Sequence, residues 1–265
     1  MGNGYFSKQA KCDRKSYAPC CVDKTQLEKL LQERVEEEII AFAKELLKDN
    51  YPAHFEMPKL LLLPACKTQT FGKYAYNMVL QEEEKLAQAN KADKPTVLAK
   101  LSHMKANVKV ERLVRGSFFA DGGIVLYYCN VCQLCEKEQL DFTSYITSVL
   151  AHEIFHALHF ACCDATKGWQ QMSYWNGTGY EASKMSTVRE SLAEYFRYLW
   201  LVKQQQETLL AKMDEELAKP YAVIPGFPYA GVRFFLNEAE AKEKFASVFA
   251  SSLVNWTEAY ELLIS

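Results

Sequence analysis

The segment of residues 149–159, Val-Leu-Ala-His-Glu-Ile-Phe-His-Ala-Leu-His, sets polar side chains inside an otherwise apolar stretch. His152 and His156 are four residues apart, which on an α-helix places them on one face, one turn from each other. Apart from Glu153 and the histidines, the segment is uncharged and mostly bulky, as is typical of a helix buried in a core. The sequence therefore predicts a fold built around a buried helix that carries two imidazoles and a carboxylate.

The His-Glu-x-x-His spacing of this helix is suited to holding a metal ion. Two neutral imidazoles one turn apart can supply nitrogen ligands to one tetrahedral zinc ion. Glu153 directly follows His152 and would lie beside the open position of the metal, where a carboxylate can take a proton from an activated water molecule. We therefore expect Zn²⁺ as cofactor, His152 and His156 as metal ligands and Glu153 as the general base.

A zinc ion that keeps one position for water still needs a third protein ligand. His159 would lie about 10 Å along the helix axis from His152, too far to reach the same ion, so we expect it to pack or to support the site from outside. A second amphipathic helix is predicted at 187–200, where Glu190 and Glu194 are four residues apart. One of these carboxylates can bind the metal while the other orients a histidine.

These two motifs resemble those of the gluzincin superfamily of zinc metallopeptidases, which includes thermolysin and neprilysin. In that superfamily the His-Glu-x-x-His helix is followed by a helix with Glu-x-x-x-Asp, whose Glu is the third ligand and whose Asp supports the first histidine. The resemblance implies that Glu190 is the third ligand and that Glu194 supports His152. This sequence has Glu at the supporting position and 33 residues between the motifs, which leaves the choice of third ligand open. Thr187 and Glu190 would also fit a capping box at the start of a helix.

The resemblance also implies a strand that pairs with extended substrate and a downstream residue that stabilises the oxyanion. Residues 122–129, Gly-Gly-Ile-Val-Leu-Tyr-Tyr-Cys, could form that strand by binding peptide backbone through strand addition. No histidine follows His159, so the oxyanion residue would be Tyr229 or Arg233, one helical turn apart. Either side chain could equally be a packing residue or a solvated charge.

Cys129, Cys132 and Cys135 recur every three residues and could form part of a metal cluster. A structural zinc site would need a fourth ligand, which the adjacent pair Cys162 and Cys163 could supply. Alternatively, these small thiols line the connection between a strand and a helix. We favour the second interpretation and expect the three cysteines to be dispensable for catalytic zinc.

The N-terminal part of the chain has a clear helical pattern. Thr25-Gln-Leu-Glu28 matches a capping box, and the pattern that follows ends near Pro52. The apolar residues that recur every four positions and predict an amphipathic helix are Leu27, Leu31, Val35 and Ile39.

The middle of the chain has strand patterns. A short strand is predicted at 59–63, and alternating or β-branched runs at 108–114 and 123–129 predict a hairpin or two strands of a sheet. Gly116 and Asp121-Gly122 are turn signals between these two runs. A helix is predicted at 71–88, and the helical pattern returns from Asp141 onward.

At 265 residues, of which 49% are apolar, the chain is long enough for one substantial core or for two lobes that share a cleft. Residues 1–24 are polar and basic and are expected to form a tail. We expect residues 25–163 to form an N-terminal lobe with a small sheet and the histidine helix, and residues 164–265 to form a helical C-terminal lobe that carries the third ligand. The predicted fold class is α+β, a mainly helical, zincin-like fold with a small sheet beside the histidine helix.

The net charge of −2 provides neither the basic surface of a nucleic-acid-binding protein nor a cationic face for an anionic membrane. Long uncharged stretches such as 142–151 and 245–257 are shorter than the roughly 20 residues of a membrane-spanning helix. We expect neither nucleic acid nor membrane as a partner. The absence of a secretory signal pattern and the odd number of cysteines, nine, favour a reducing compartment and a cytoplasmic protein.

The function that these patterns favour is that of a zinc-dependent metallopeptidase, which acts on a peptide or protein substrate with Glu153 as general base. One alternative is a zinc hydrolase that acts on a non-peptide amide. Another is a catalytically silent, zinc-containing binding protein. The intact Glu153 argues against the silent protein, because a purely structural zinc site needs no base at that position.

Overall fold

The computed structural model describes residues 22–32, 36–63, 115–119, 123–165, 179–218, 232–236 and 240–265. Several predictions lie outside these ranges: the helix at 71–88, the strand at 108–114, the tail up to residue 21 and Tyr229. Within the described ranges the fold is mostly helical with a small mixed sheet, which agrees with the predicted α+β class.

Two helices form the N-terminal part, α1 at Lys24–Leu30 and α2 at Glu36–Leu47, and a short 3₁₀-helix follows at Lys48–Asn50. The apolar stripe of the predicted amphipathic helix is confirmed where it is described, because three of its four residues are buried in the core: Leu27, Leu31 and Ile39. Val35 lies in a segment that the structure does not describe.

The predicted cap of the first helix is wrong by two residues. The N-cap is Asp23, whose Oδ1 accepts hydrogen bonds from the backbone N–H groups of Thr25 at 2.9 Å and Gln26 at 3.2 Å. Thr25 is itself the second residue of α1. Asp and Thr both serve as N-caps. Here Asp23 is the cap, and the helix begins at Lys24, one residue before Thr25.

The sheet contains β1 at Leu60–Leu63, β2 at Gly116–Phe119 and β3 at Gly123–Tyr127. The strand order is β1-β3-β2, with β1 parallel and β2 antiparallel to β3. The predicted strand at 59–63 is therefore confirmed. The predicted substrate-pairing role of residues 122–129 is wrong, because β3 is the central strand and both of its edges are already hydrogen-bonded to neighbours.

Two further predictions in this region need correction. Gly116 lies in β2, where it pairs with Leu126, and it does not form a turn. The predicted strand also ends earlier, at Tyr127, because helix α3 begins at Tyr128 and runs to Glu138. The physical reason is the helical period of the apolar residues that follow, of which three share one buried face: Cys129, Cys132 and Cys135.

Helix α4 spans Phe142–Ala165 and is the buried histidine helix that the sequence predicted. Asp141 accepts a hydrogen bond at 2.7 Å from the backbone N–H of Ser144, as an N-cap residue does. By length and composition Phe142–Cys163 could cross a membrane, but 83% of its most apolar window is buried inside the fold. In this fold, α4 is a core helix that packs against β2, β3 and its helical neighbours.

In the C-terminal half of the chain, all of the regular secondary structure that is described is helical. Helix α5, at Gly179–Lys203, packs along α4, and the ring centroids of Phe155 in α4 and Phe196 in α5 are 5.0 Å apart. The last two helices pack against each other and against α5. The C-terminal helices are α5 at Gly179–Lys203, α6 at Glu207–Ala218, α7 at Arg233–Leu236, α8 at Ala241–Ser252 and α9 at Trp256–Ile264.

Candidate metal centre

Helices α4 and α5 bring together His152, His156 and Glu190. The two histidine Nε2 atoms are 3.0 Å apart, and Oε2 of Glu190 lies 3.3 Å from each of them. Ligands bound 2.0 to 2.1 Å from one tetrahedral ion are separated by about 3.3 Å, so these separations fit a common ion. The two histidines are buried, and the Glu190 side chain is 13% exposed. This buried group of two nitrogens and one oxygen could hold a metal ion.

The second carboxylate of α5 faces the other nitrogen of the first histidine. Oε2 of Glu194 lies 3.0 Å from Nδ1 of His152, and Glu194 is buried. When Nδ1–H donates to this carboxylate, Nε2 keeps its lone pair and turns it toward Glu190 and His156. This is the position of the supporting acid that the gluzincin resemblance implied for Glu194.

Two arginines that the sequence analysis did not assign hold the outer oxygens of the same carboxylates. Arg189 donates to Oε1 of Glu190 from Nη2 at 3.1 Å and from Nε at 3.3 Å. Arg197 donates from Nη1 to Oε1 of Glu194 at 2.9 Å. Each glutamate therefore presents Oε2 to an imidazole while its Oε1 binds an arginine. The i,i+3 spacing of Glu194 and Arg197 was the one sequence signal that could have indicated this pair.

Glu153 lies next to the triad and against strand β2. It is buried, and a Cβ atom added to Gly116 would lie only 2.7 Å from its Oε1. Burial raises the pKa of Glu153 to about 7, although the charge of His152 and a hydrogen bond from the backbone of Phe118 oppose this rise. A carboxylate with a pKa near neutrality can both accept and release a proton at physiological pH.

The two histidines of the triad have opposite protonation preferences in the metal-free protein. Burial lowers the pKa of His156 to about 4, so this ring is neutral at pH 7, as a metal ligand must be. Burial alone would also lower the pKa of His152, but its hydrogen bonds with Glu190 and Glu194 outweigh burial and raise the pKa to about 10. In the metal-free protein a proton on His152 thus balances the surrounding carboxylates.

The carboxylates of α5 are held in their charged forms. Burial would raise the pKa of Glu190, but His156 and the hydrogen bonds to both histidines lower it well below its ordinary value. Burial would likewise raise the pKa of Glu194, but the charge of Arg197 and then the bond to His152 lower it to about 2. Both glutamates are therefore available as anionic partners at neutral pH.

His159 takes the packing role that was one of its two predicted roles. Its Nε2 is 2.8 Å from Oγ of Ser252 on α8, and its ring centroid lies 5.3 Å from Phe249 and 5.4 Å from Trp256. It is fully buried among the C-terminal helices. His159 therefore joins α4 to α8 and α9, one turn away from the triad.

Of the two predicted oxyanion residues, the structure describes Arg233, and it does not connect this residue to the triad. Arg233 begins the short helix α7 and is half-buried, and in the described part of the chain no hydrogen bond or ion pair joins it to a ligand. Tyr229 lies outside the described residues. The cation that the structure places beside the ligands is Arg189.

The cysteines of α3 are buried, and Cys132 lies 3.4 Å from a carboxylate oxygen of Glu136. Among the residues that the structure describes, the histidine and glutamate triad is the one group whose donor atoms converge like metal ligands. The three cysteines therefore lie buried in the helix between β3 and α4, and their dispensability for catalytic zinc stays a prediction.

The capping interpretation of Thr187 and Glu190 is excluded by the bounds of α5. The helix begins at Gly179, so both residues lie well inside it. Thr187 is buried, and its carbonyl oxygen accepts a hydrogen bond from Oγ of Ser191. Glu190 therefore has no role at a helix terminus, and its carboxylate is directed toward the histidines.

Comparison of the chain with protein-family models, with curated proteins and with solved structures gave no match. The chemistry of the described side chains is therefore the basis for assigning a function.

Proposed function

We propose that the protein is a zinc-dependent hydrolase that cleaves peptide bonds, in a zincin-like fold. His152, His156 and Glu190 would hold the ion, and Glu153 would act as the general base. The observation that carries the proposal is the buried Glu153 beside a site with three converging ligand atoms. Structural zinc sites are almost always closed by four protein ligands, whereas catalytic sites use three and keep one position open.

The donor set favours zinc among the metals that proteins commonly bind. Two imidazole nitrogens with one carboxylate oxygen form the ligand set of several zinc hydrolases. Mg²⁺ and Ca²⁺ prefer shells made of oxygen atoms, which two histidines do not provide. We therefore infer zinc from the chemistry of the ligands.

In this proposal Glu153 would transfer the protons, and Glu194 would orient the His152 ring. When bound, zinc supplies a Lewis acid that lowers the pKa of a water molecule and polarises a carbonyl group. Glu153, a buried carboxylate beside the three ligands, can accept the proton of that water and return it to the leaving amine. Glu194 would keep the His152 ring in the tautomer that presents Nε2 to the ion.

Strand β2 is the best candidate for pairing with an extended substrate. The N–H of Tyr127 donates to the carbonyl oxygen of Arg115 at 2.9 Å. Because bonded and non-bonded pairs alternate in an antiparallel ladder, the backbone polar groups of Gly116 and Phe118 point away from β3. The Phe118 N–H indeed bonds Glu153. The Gly116 carbonyl oxygen likewise accepts a hydrogen bond from Oγ of Ser117 at 2.7 Å. A peptide that pairs with this outer edge would compete with these two bonds and would run beside the proposed base.

The decisive experiment compares the parent chain with Glu153→Gln after both have been loaded with zinc. Each protein is assayed for bound metal by elemental analysis and for cleavage of a diverse peptide mixture, with and without a chelator. We expect about one zinc in both proteins, chelator-sensitive cleavage by the parent, and a loss of at least about 10²-fold in the variant. Glutamine keeps the size of the side chain but cannot accept the proton.

Other outcomes would decide between the alternatives. A parent chain that binds no zinc would end the whole proposal. A parent that binds zinc but cleaves neither peptides nor other amides would indicate the silent binding protein. Cleavage confined to non-peptide amides would indicate the other hydrolase, and full activity in Glu153→Gln would remove Glu153 from the mechanism.

A further inference from the structure

We infer that Arg197 is a positioning residue for the metal centre, which acts through Glu194 on the ring of His152. The inference rests on the metal-binding part of the proposed function and not on the identity of the substrate. Arg197 lies outside the three ligands and behind Glu194, the carboxylate that faces His152.

Arg197 is held in one place by three kinds of contact. It is 8% exposed, and its Nη1 donates to Oε1 of Glu194 at 2.9 Å. Its Nε donates to Oγ of Ser148 at 3.1 Å, and its guanidinium carbon lies 5.2 Å from the ring centroid of Tyr145. Guanidinium donors form a rigid, planar fork, so bonds in two directions together with the ring contact fix its orientation.

Two of the residues that Arg197 contacts, Tyr145 and Ser148, lie on the same helix as the histidines. Tyr145, Ser148 and His152 follow each other at spacings of three and four, and therefore share the face of α4 that is turned toward α5. Arg197 reaches across from α5 to two of these residues, and Glu194 reaches the third. The guanidinium thus ties Glu194 to the turn of α4 that precedes His152.

The charge of Arg197 matters most when a metal is bound. A histidine that binds a metal ion is neutral, so it brings no positive charge to Glu194. Glu194 is buried, and a buried carboxylate without a cationic partner is strongly unfavourable. Arg197 is permanently charged and remains hydrogen-bonded to Oε1, so Oε2 stays available to His152 when that ring is neutral.

Loss of Arg197 should therefore weaken metal binding even though it touches no ligand. Without the guanidinium, none of the described residues holds Oε1, and the carboxylate is no longer directed at Nδ1. The His152 ring can then place its hydrogen on Nε2, where it opposes binding of the ion. The removal of outer partners of this kind typically lowers metal affinity by about 10- to 100-fold.

A double-mutant cycle on zinc affinity tests this inference. Zinc affinity is measured by chelator competition for the parent, Arg197→Met, Glu194→Ala and the double variant, and the fold of each metal-free protein is checked by circular dichroism. We expect Arg197→Met to lower the affinity by about 10- to 100-fold in the parent background, and by less than about threefold when Glu194 is already Ala. The ring ¹⁵N spectrum of the zinc-loaded parent should show hydrogen on Nδ1 of His152, and Arg197→Met should weaken that signal.

Arg115 provides the matched control. Its guanidinium carbon lies 5.6 Å from the centroid of the same Tyr145 ring, and its charge, like that of Arg197, lowers the pKa of Glu194. Arg115 is exposed, however, and makes no hydrogen bond to Glu194 among the described residues, so it tests the effect of charge without the hydrogen bond. Arg115→Met removes the same atoms and the same charge, and its zinc affinity should stay within about threefold of the parent. An equal loss in both variants would assign the effect to general charge and overturn the positioning role.

Three further results are decisive. Parental zinc affinity in Arg197→Met, or the same loss with and without Glu194, would overturn the inference and leave the proposed function intact. A parent that binds no zinc would instead overturn the proposed function itself. If Arg197→Met does not fold, Arg197→Gln retains a hydrogen bond to Ser148 without the charge, and parental affinity in that variant would likewise overturn the inference.

Discussion

Gly116 allows strand β2 to approach the proposed base, and Gly116→Ala should displace that base. The added Cβ would lie 2.7 Å from Oε1 of Glu153 and 2.8 Å from Cγ1 of Val149, whereas ordinary contact begins at 3.4 Å. Glu153 would have to retreat by about 0.7 Å, the difference between these distances. A misplacement of about 1 Å in a catalytic site can cost about 10²-fold in rate, so we expect turnover to fall by about 10- to 100-fold.

The stability and the metal content of Gly116→Ala should respond differently. Overpacking of a tightly packed site typically costs about 1–3 kcal/mol, which chemical denaturation of the metal-free protein would measure. Zinc affinity should stay close to that of the parent, because the nearest atoms belong to Glu153 and Val149 and not to a ligand. The assay is peptide cleavage per zinc-loaded molecule.

A second substitution separates the two contacts. Val149→Ala in the Gly116→Ala background removes the Cγ1 atom and makes room for the new methyl group, so part of the lost stability should return. The contact with Glu153 remains, so turnover should stay low. Parental turnover in zinc-loaded Gly116→Ala would refute the reasoning, and so would recovery of turnover together with stability in the double variant.

Three further predictions follow from the site and its surroundings. Glu190→Ala should lower zinc affinity by more than the roughly 10- to 100-fold expected for Glu194→Ala, because Glu190 is a proposed ligand whereas Glu194 only supports His152. Chelator competition measures the zinc affinity of both variants, and a larger loss in Glu194→Ala would exchange the two assigned roles. Because the pKa of His152 in the metal-free protein is raised to about 10, zinc must displace a proton below that pH. Calorimetry at pH 8 in buffers of different ionisation enthalpy should then show release of about one proton per zinc, and heats that do not depend on the buffer would contradict this prediction. Burial raises the pKa of Cys135 to about 11 and that of Cys163 to about 12, so neither should react with iodoacetamide at pH 8 until the chain is denatured; peptide mass spectrometry that finds them alkylated in the native protein would contradict their burial.

The elements that could be predicted from the sequence are those with a strong local period. The apolar run around His152 made α4 recognisable as a buried helix, and the four-residue spacing placed His156 on the same face. Leu27 and Ile39 followed the same rule in the N-terminal helices. Predictions based on weaker signals failed at Thr25, where a neighbouring Asp caps the helix instead, and at Gly116, where a glycine typical of turns lies in a strand.

The candidate site could be predicted only to the extent that its residues lie on one helix. The sequence by itself determined that two imidazoles and Glu153 share a turn of α4, and that two carboxylates follow four residues apart on α5. Only the tertiary structure decided which nitrogen each carboxylate faces, that arginines hold their outer oxygens, and that β2 lies against Glu153. The physical reason is that the spacing along a helix is set by local backbone geometry, whereas the docking of helices and the order of strands depend on packing between segments that are distant in the chain.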